Sequence, residues 1–405
     1  VISMESEAKH CSEATSSLDA FDIQTQVRLV FGPGAVESVG KHAAGLGGKR
    51  ILLVTDEGIV KAGHAAKAIE HLQSAGLEVA TFASVRENPT TADVDLCVEA
   101  ARDHKTDLLV GLGGGSSMDT AKGCNFIFTN GGKMQDYWGI GKAPQPMLPL
   151  IAIPTTAGTG SECQSFALIA DEKTYQKMAC GDSKAAAAVA ILDPELTLSQ
   201  PRKVSACTGI DALSHAIESG VSLKRNAFSW MHSQEATKCI LPGLGRVLTH
   251  PEDLEARGQL LLGAALAGTA IENSMLGAAH ATANPLTARF GVIHGMAVGV
   301  MLPHVMRLNA ADPGVQACYA RLARLSSVSS QDRDDLASQD LIRAVEIALE
   351  MAEIPGSLEP HGVTSEDLDV LATMATEQWT GRFNPKSLSK QDFKDLYRKA
   401  LENPS

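Results

Sequence analysis

The sequence predicts an α/β domain built on a parallel sheet, followed by an all-helical domain. Two observations lead to this fold class. In the first half, short apolar runs alternate with stretches of helical periodicity, as in strand–helix–strand units whose parallel strands are covered by helices. From Val204 to Leu401 the chain is rich in Ala and Leu, and its apolar residues recur at helical spacing. The strand–helix alternation gives way to this helical pattern near residues 193–201, so we expect domains at 25–197 and 198–405.

The predicted strands of the first domain are short apolar runs. The continuous run ILLVT at 51–55 is typical of a strand that is buried on both faces of a parallel sheet. Helices are predicted at 59–75 and 94–104, because apolar residues recur there at helical spacing. The other predicted strands lie at 27–31, 78–83, 108–112, 149–153, 165–170 and 188–192.

The helical domain contains prolines that we interpret as breaks between helices. Proline lacks a backbone N–H and clashes with the preceding turn of a helix, so it usually ends one. The polar segment 326–335 is predicted to be a loop between two helices. The expected breaks are at Pro242, Pro251, Pro285, Pro303, Pro313 and Pro355.

Composition excludes several classes of partner. The 405 residues include 35 Lys+Arg against 47 Asp+Glu, which gives a formal net charge of -12, and only 4% are aromatic. Binding to nucleic acid depends on phosphate neutralisation and base stacking, so nucleic acid is not an expected partner. No apolar run approaches the roughly 18 to 20 residues of a spanning helix, so we expect no membrane association.

Residues 1–24 are interpreted as a flexible leader. They lack the apolar segment of a secretory signal, and their acidic residues are rare in organellar transit peptides. The eight cysteines of the chain never fall at CxxC spacing, which is typical of scattered core thiols in a reducing compartment. We therefore expect a cytoplasmic protein.

A glycine-rich turn follows the predicted strand at 108–112. Gly113, Gly114, Gly115 and Ser116 stand in the sequence GLGGGSSMDTAK, where a helix begins. Glycines allow a ligand to approach the backbone, and the N–H groups at a helix N-terminus attract phosphate. Ligands of open α/β sheets bind at this carboxyl edge. We therefore predict a phosphate-binding loop, with a simple strand-to-helix turn as the alternative.

Two further loops are expected at the same edge. Asp56 directly follows ILLVT, where its carboxylate could bind a ribose and repel the 2′-phosphate of NADP, or could equally cap the next helix. The loop PTTAGTGSE follows another strand and offers the hydroxyls of Thr155, Thr156 and Thr159. These hydroxyls suit phosphate or amide contacts, and a polar turn is the alternative.

Four residues of the helical domain form a candidate metal site. Asp211 and His215 are four residues apart in a predicted helix, so they project from one face. Their neighbours in GIDALSHAIES are largely apolar, which argues against a surface ion pair. His280 and His294 also have small or apolar neighbours, although a lone histidine there is more often a core residue. One carboxylate and three imidazoles suit a divalent first-row metal, but spacing alone does not bring them together.

These motifs occur as an ordered series. It comprises GGGSSMDTAK, PTTAGTGSE, DALSHAIES, the fourteen-residue separation of His280 and His294, HGMAVGVMLPHV and a late FNP at 383–385. The series resembles the iron-containing (group III) alcohol dehydrogenase family over about residues 25–401. The resemblance implies a Rossmann-like N-terminal domain and an all-helical C-terminal domain, an architecture shared with dehydroquinate synthase, with metal and cofactor in the cleft between them.

The resemblance also implies roles for single residues. Asp211, His215, His280 and His294 correspond to the ligands of the family's metal, Fe2+ or Zn2+. NAD is the expected cofactor rather than NADP, because Asp56 corresponds to the acidic residue at the adenosine ribose. The positions that match cofactor contacts are Asp56, Asn88, Gly114, Gly115, Ser116, Thr155, Thr156, Thr159 and Lys177.

One position departs from the family pattern. Many members carry a second histidine four residues after the first of the paired histidines, and it is thought to assist proton transfer. This chain has Asn284 there, and an amide forms hydrogen bonds but does not titrate. We therefore name His280 and Asn284 as the catalytic candidates and expect an altered proton path.

The function implied by the resemblance is hydride transfer. The expected enzyme is an NAD-dependent, metal-dependent oxidoreductase that interconverts an alcohol and an aldehyde or ketone. The alternatives are a hydroxyacid–oxoacid transhydrogenase that retains its cofactor, and a catalytically silent nucleotide-binding protein. The expected substrate is a small alcohol, aldehyde or hydroxyacid, and the expected assembly is a homodimer.

Overall fold

The computed structural model describes residues 20–174 and 176–402. Most of the expected leader therefore lies outside the described residues, and its described part, 20–24, contains no helix or strand. Within these two ranges, no helix is long and apolar enough to cross a membrane.

The described part of the first half contains two sheets. The strands are β1 (Arg28–Phe31), β2 (Arg50–Val54), β3 (Glu78–Phe82), β4 (Leu108–Gly113), β5 (Gly139–Ile140), β6 (Leu150–Pro154), β7 (Phe166–Ala170), β8 (Lys177–Gly181) and β9 (Val189–Leu192). The larger sheet is parallel and has six strands in the order β1, β9, β6, β4, β2 and β3. The smaller sheet has three strands in the order β5, β8 and β7.

The large sheet is covered on both faces, as the apolar runs predict. Successive side chains of a strand point to opposite faces. In β2, Leu52 and Val54 accordingly join the core on one face of the sheet, while Ile51 and Leu53 join the core on the other. The covering helices are α1 (Val39–Gly45), α2 (Glu57–Lys61), α3 (His64–Ser74), α4 (Thr91–Asp103) and α5 (Gly115–Asn130).

The second half of the described chain is helical, which confirms the predicted fold class. α6 contacts α7, α8 and α10, and an extensive apolar core lies among these helices. The helices are α6 (Arg202–Val221), α7 (Ala227–Thr249), α8 (Leu254–Glu272), α9 (Ala278–Phe290), α10 (His294–Asn309), α11 (Pro313–Leu325), α12 (Asp334–Met351), α13 (Leu368–Glu377) and α14 (Lys390–Glu402).

The interpretation of the prolines as helix breaks is wrong at three positions. Pro242, Pro285 and Pro303 lie inside α7, α9 and α10. A proline interrupts the hydrogen bonding of a helix only locally, and the packing of these helices into a common core outweighs that cost. Pro313 instead occupies the first turn of α11, where the missing N–H has no intrahelical partner to lose.

One prediction for the first half also needs correction, and one confirmed strand lies outside the large sheet. The single helix expected at 59–75 is divided into α2 and α3 at Gly63, whose φ of 83° is left-handed. A left-handed residue interrupts a helix although the apolar spacing continues across it. The strand predicted at 165–170 is β7, which belongs to the small sheet with β5 and β8, two strands that sequence analysis does not predict.

Parallel pairing places the candidate cofactor loops side by side. β4 lies between β2 and β6, and Gly113 at the end of β4 pairs with Pro154 at the end of β6. The turns that follow these three strands therefore emerge at one edge of the sheet. They contain Asp56, the glycine-rich turn and the threonine loop, as expected for a ligand-binding edge.

Candidate metal and cofactor site

Three helices contribute to the candidate metal site. Asp211 and His215 lie one turn apart on α6, His280 is in the first turn of α9, and His294 is the first residue of α10. The first three are 5%, 5% and 3% exposed. The structure thus brings together the four residues that spacing alone leaves apart.

The three imidazoles converge on one carboxylate oxygen of Asp211. Oδ1 of Asp211 lies 3.4 Å from Nε2 of His280, 3.5 Å from Nε2 of His215 and 3.7 Å from Nε2 of His294. Candidate ligand atoms of Asp211, His215 and His280 all lie within 4.8 Å of one another. His294 faces the same oxygen from the more open side, where its side chain is 31% exposed.

The donor set fits a divalent metal. Oδ1 of Asp211 and Nε2 of His280 are buried and have no hydrogen-bond partner among the described residues. Buried polar atoms are normally paired, because an unpaired one carries its full desolvation penalty. A cation between them would satisfy both atoms. Mixed imidazole and carboxylate donors are found in sites for both iron and zinc.

Glu218 completes this cluster, and sequence analysis does not identify it. Its Oε2 lies 2.6 Å from Nδ1 of His280, and its Oε1 accepts a hydrogen bond of 2.7 Å from the N–H of Ala279. With a proton on Nδ1, His280 presents the lone pair of Nε2 to Asp211. A signal was available, since Asp211, His215 and Glu218 follow at four- and three-residue steps along one helix face.

Burial and neighbouring charge set the protonation states of the cluster. Burial lowers the pKa of His215 and lowers that of His294 to about 3. Burial opposes the charged form of His280, but Glu218 and Asp211 raise its pKa to about 9. Burial likewise acts to raise the pKa of Asp211, and the neighbouring imidazoles outweigh it, so the net shift is downwards. A metal binds an ionised carboxylate and neutral imidazoles, so binding at neutral pH would displace a proton from His280.

The glycine-rich turn packs directly against the threonine loop. A Cβ built on Gly115 would lie 2.9 Å from Oγ1 of Thr159, and one on Gly114 would lie 3.5 Å from Cγ2 of Thr156. The N–H of Thr155 donates to the carbonyl of Gly113 at 2.9 Å. A side chain at Gly115 would therefore fill the space between the two loops.

Asp56 caps the helix that follows it and also lies beside the glycine-rich turn. Its Oδ1 accepts a hydrogen bond of 3.0 Å from the N–H of Ile59, so it caps α2. Its Oδ2 would lie 3.3 Å from a Cβ built on Gly113, which places the carboxylate beside the glycine-rich turn. Capping therefore does not remove Asp56 from the candidate cofactor site.

The remaining cofactor candidates lie on three different elements. Asn88 follows β3 in a left-handed conformation with a φ of 54°. Ser116 lies in the first turn of α5, and Lys177 is the exposed first residue of β8. The electrostatic influence of Lys177 reaches both Asp119 of α5 and His294 of α10. The positive charge of Lys177 thus favours the ionised form of Asp119 in the first half and the neutral form of His294 in the helical half.

Asn284 lies one turn after His280 on α9 and has a definite partner. Its Nδ2 donates to Oε1 of Gln378 at 2.9 Å. Gln378 precedes a short 3-10 turn, Trp379–Phe383, and the ring of Trp379 lies 6.0 Å from that of Phe166 in β7. The amide of Asn284 is thus linked to a segment that contacts the first half of the chain.

Comparison with known proteins identifies the family. The family model described as "Iron-containing alcohol dehydrogenase" matches residues 26–194, and "Fe-containing alcohol dehydrogenase family, C-terminal" matches residues 205–401. The chain is 34% identical over 376 residues to the NAD-dependent methanol dehydrogenase of Bacillus methanolicus, covering 92% of this chain and 97% of the relative.

A second relative and a solved structure cover nearly the same length. The chain is 35% identical over 393 residues to the choline dehydrogenase of Bacillus subtilis (strain 168), which covers 96% of each protein. The crystal structure of a 1,3-propanediol oxidoreductase superposes with a TM-score of 0.91 at 32% identity, covering 94% of this chain and all of the other. The chain therefore belongs to the iron-containing alcohol dehydrogenase family and is an oxidoreductase.

Proposed function

We propose that this enzyme is an NAD-dependent, divalent-metal-dependent alcohol dehydrogenase. It would transfer a hydride between the nicotinamide and the carbon of an alcohol, aldehyde or ketone. The main support is a pair of buried atoms without a hydrogen-bond partner, Oδ1 of Asp211 and Nε2 of His280, which face each other at 3.4 Å. The NAD dependence named for the methanol dehydrogenase relative gives further support.

The proposed metal ligands are Asp211, His215, His280 and His294, for either Fe2+ or Zn2+. When bound, such an ion acts as a Lewis acid that polarises the oxygen of the substrate. The chain contributes a fixed donor set: Glu218 holds the ring of His280 through Nδ1, so its Nε2 stays directed at Asp211. Such support of a ligand typically accounts for ten- to hundredfold in metal affinity or activity.

The proposed cofactor site is the edge where β2, β4 and β6 end. The pyrophosphate would lie along the glycine-rich turn, because this turn offers N–H donors at the N-terminus of α5. The neighbouring threonine loop would add hydroxyl donors. Asp56 would accept hydrogen bonds from the adenosine ribose and exclude the 2′-phosphate of NADP. Asn88, which follows β3, and Lys177, at the start of β8, would make further contacts.

Asn284 is proposed to act by position rather than by proton transfer. An amide has no proton to exchange near neutral pH, and its Nδ2 is bound to Gln378. Asn284 would therefore fix the segment Trp379–Phe383 against α9. Protons released during alcohol oxidation would leave through water on the exposed side of His294.

The function can be tested on protein purified without oxygen. The protein is stripped with a chelator, reloaded with Fe2+ or Zn2+, and offered methanol, choline and 1,3-propanediol with NAD+ or NADP+. We expect metal-dependent formation of free NADH with at least one alcohol and weaker use of NADP+. A preparation that moves hydride between two substrates without releasing NADH would instead be the transhydrogenase. Failure of every combination would contradict the proposal.

A further inference from the structure

A buried polar cluster lies behind the two candidate cofactor loops. Lys122 and Asp119, one turn apart on α5, are 0% and 9% exposed and face Ser161 at the end of the threonine loop. The ammonium of Lys122 lies 2.6 Å from the carbonyl oxygen of Ser161, 2.8 Å from its Oγ and 3.0 Å from the carbonyl oxygen of Phe166. All three hydrogens of the ammonium therefore have acceptors.

Asp119 holds the same serine from the other side. Oγ of Ser161 donates to Oδ1 of Asp119 at 2.7 Å, and Oδ2 of Asp119 accepts a hydrogen bond of 3.2 Å from the N–H of Leu168. Ser161 is thus fixed through its carbonyl and through both functions of its hydroxyl. We call the three side chains Asp119, Lys122 and Ser161 the serine clamp.

The loop that ends at the serine clamp is confined on its far side as well. A Cβ built on Gly158 would lie 2.4 Å from Cβ of Thr208 in α6, and one on Gly160 would lie 2.6 Å from Cα of Gly268 in α8. Gly160 also has a left-handed φ of 64°. The helical half therefore confines the loop at these glycines, and the serine clamp fixes the end of the loop that follows them.

Stability alone is a weak explanation for the charges in the serine clamp. Burying an ammonium and a carboxylate carries a large desolvation cost for each ion, and well-packed apolar residues are often as stabilising. Such a pair gives directional hydrogen bonds that apolar residues lack. Here all of the directed bonds of Lys122 end on Ser161, in the last part of the threonine loop, and on Phe166, at the start of β7.

We propose that Lys122 and Asp119 are positioning residues for the cofactor: by holding Ser161 they set Thr156 and Thr159 against Gly114 and Gly115. This inference rests on the proposed binding of NAD between these loops. Ser161→Ala removes the hydroxyl shared by Lys122 and Asp119 but leaves both carbonyl acceptors of Lys122. It is therefore a milder change than Lys122→Met, which would leave Asp119 buried without its cation.

The test measures NAD+ binding by calorimetry on the metal-loaded protein and amide hydrogen exchange of residues 155–161 in the ligand-free protein. Ser161→Ala should raise the Kd for NAD+ about tenfold or more, as expected when a binding group is displaced, and should speed exchange in the loop. Metal content should not change, and KM for NAD+ should change more than kcat does. Ser161→Thr, which keeps the hydroxyl, should restore much of the affinity.

Ser165→Ala is the matched control. It deletes an equivalent buried hydroxyl four residues further on, but that hydroxyl donates to Glu272 and not to the serine clamp. It should lower the melting temperature without raising the Kd for NAD+. A folded Ser161→Ala protein that binds NAD+ like the wild type, or an equal rise in Kd for Ser165→Ala, would overturn the serine clamp. A wild type that binds no NAD+ would overturn the proposed function itself.

Discussion

The carboxylate of Glu218 lies 2.6 Å from Nδ1 of His280, and both side chains are buried. The second oxygen of Glu218 accepts from the N–H of Ala279, so the carboxylate also fixes the first turn of α9. This contact determines which nitrogen of His280 carries a proton and where its lone pair points. Glu218 thereby connects the α6 and α9 parts of the candidate metal site.

Replacing Glu218 should weaken metal binding while the fold is retained. In Glu218→Ala, His280 is free to turn or to change tautomer, so we expect metal affinity to fall about ten- to hundredfold. Competition with a chelator measures the affinity directly. Glu272→Gln is the control, because Glu272 accepts from Ser165 rather than from a histidine. Equal affinities for Glu218→Ala and the wild type would remove Glu218 from the metal site.

Asp56 should determine the choice between NAD and NADP. In Asp56→Asn the side-chain oxygen can still cap α2, but the charge that faces a 2′-phosphate is gone. We expect the ratio of kcat/KM for NADP+ to that for NAD+ to rise at least tenfold, and Asp56→Gly should give the same direction. Loss of the cap is worth about 1 kcal/mol in Asp56→Ala, visible as a lower melting temperature. More efficient use of NADP+ than NAD+ by the wild type would show that Asp56 is wrongly assigned.

Asn284→His should change the pH dependence of alcohol oxidation. The wild type carries an amide at this position, so its rate should rise towards alkaline pH without an imidazole at 284. A histidine adds a group with an unperturbed pKa of about 6.5, which should flatten the profile near neutrality. The measurement is kcat and kcat/KM against pH.

Gln378→Ala is the control for Asn284→His. It breaks the hydrogen bond between Gln378 and Asn284 without adding a titrating group, so a change in pH dependence that comes only from losing this bond should appear in both variants. If Asn284 instead donates to the substrate, Asn284→His should raise KM and leave the pH profile unchanged. Identical profiles and identical KM values in wild type and Asn284→His would contradict both roles.

Glu162 should make the protein less stable as pH rises. Burial raises the pKa of this carboxyl from 4.5 to about 7. Between these values the folded protein holds a proton that the unfolded chain has released, so stability falls as pH rises through this range. Glu162→Gln removes the effect and should stabilise the protein at pH 8 by up to about 3 kcal/mol relative to the wild type. Thermal melts at pH 5 and pH 8 check this: an equal difference at both would show that Glu162 does not titrate.

The sheet edge and its loops are predictable because their signals are local. An apolar run followed by Gly113, Gly114 and Gly115 needs only strand and turn rules to be interpreted, and in the structure α5 begins at Gly115. The division of 59–75 at Gly63 is also a local event. It escapes prediction because the apolar period continues across the glycine, although its left-handed φ ends the regular helix.

The supporting polar residues are not predictable in the same way. Glu218, Asp119 and Lys122 are charged residues in helices, and such residues are usually solvated. All three are buried because α5 and α6 are enclosed by neighbouring elements, which depends on tertiary packing. The same packing places Pro285 inside α9, against the local rule. Motif spacing thus identifies the groups expected to touch ligands better than the residues that hold them in place.

The central claim, that Asp211, His215, His280 and His294 bind one catalytic metal, is tested most directly by the metal content of His280→Ala. The control is His304→Ala, which removes another buried histidine, located ten residues after His294 on α10. After dialysis against Fe2+ or Zn2+, elemental analysis should find about one ion per chain in the wild type and in His304→Ala. His280→Ala should remain folded and lose metal and turnover together. Full metal content and full activity in His280→Ala would contradict the account.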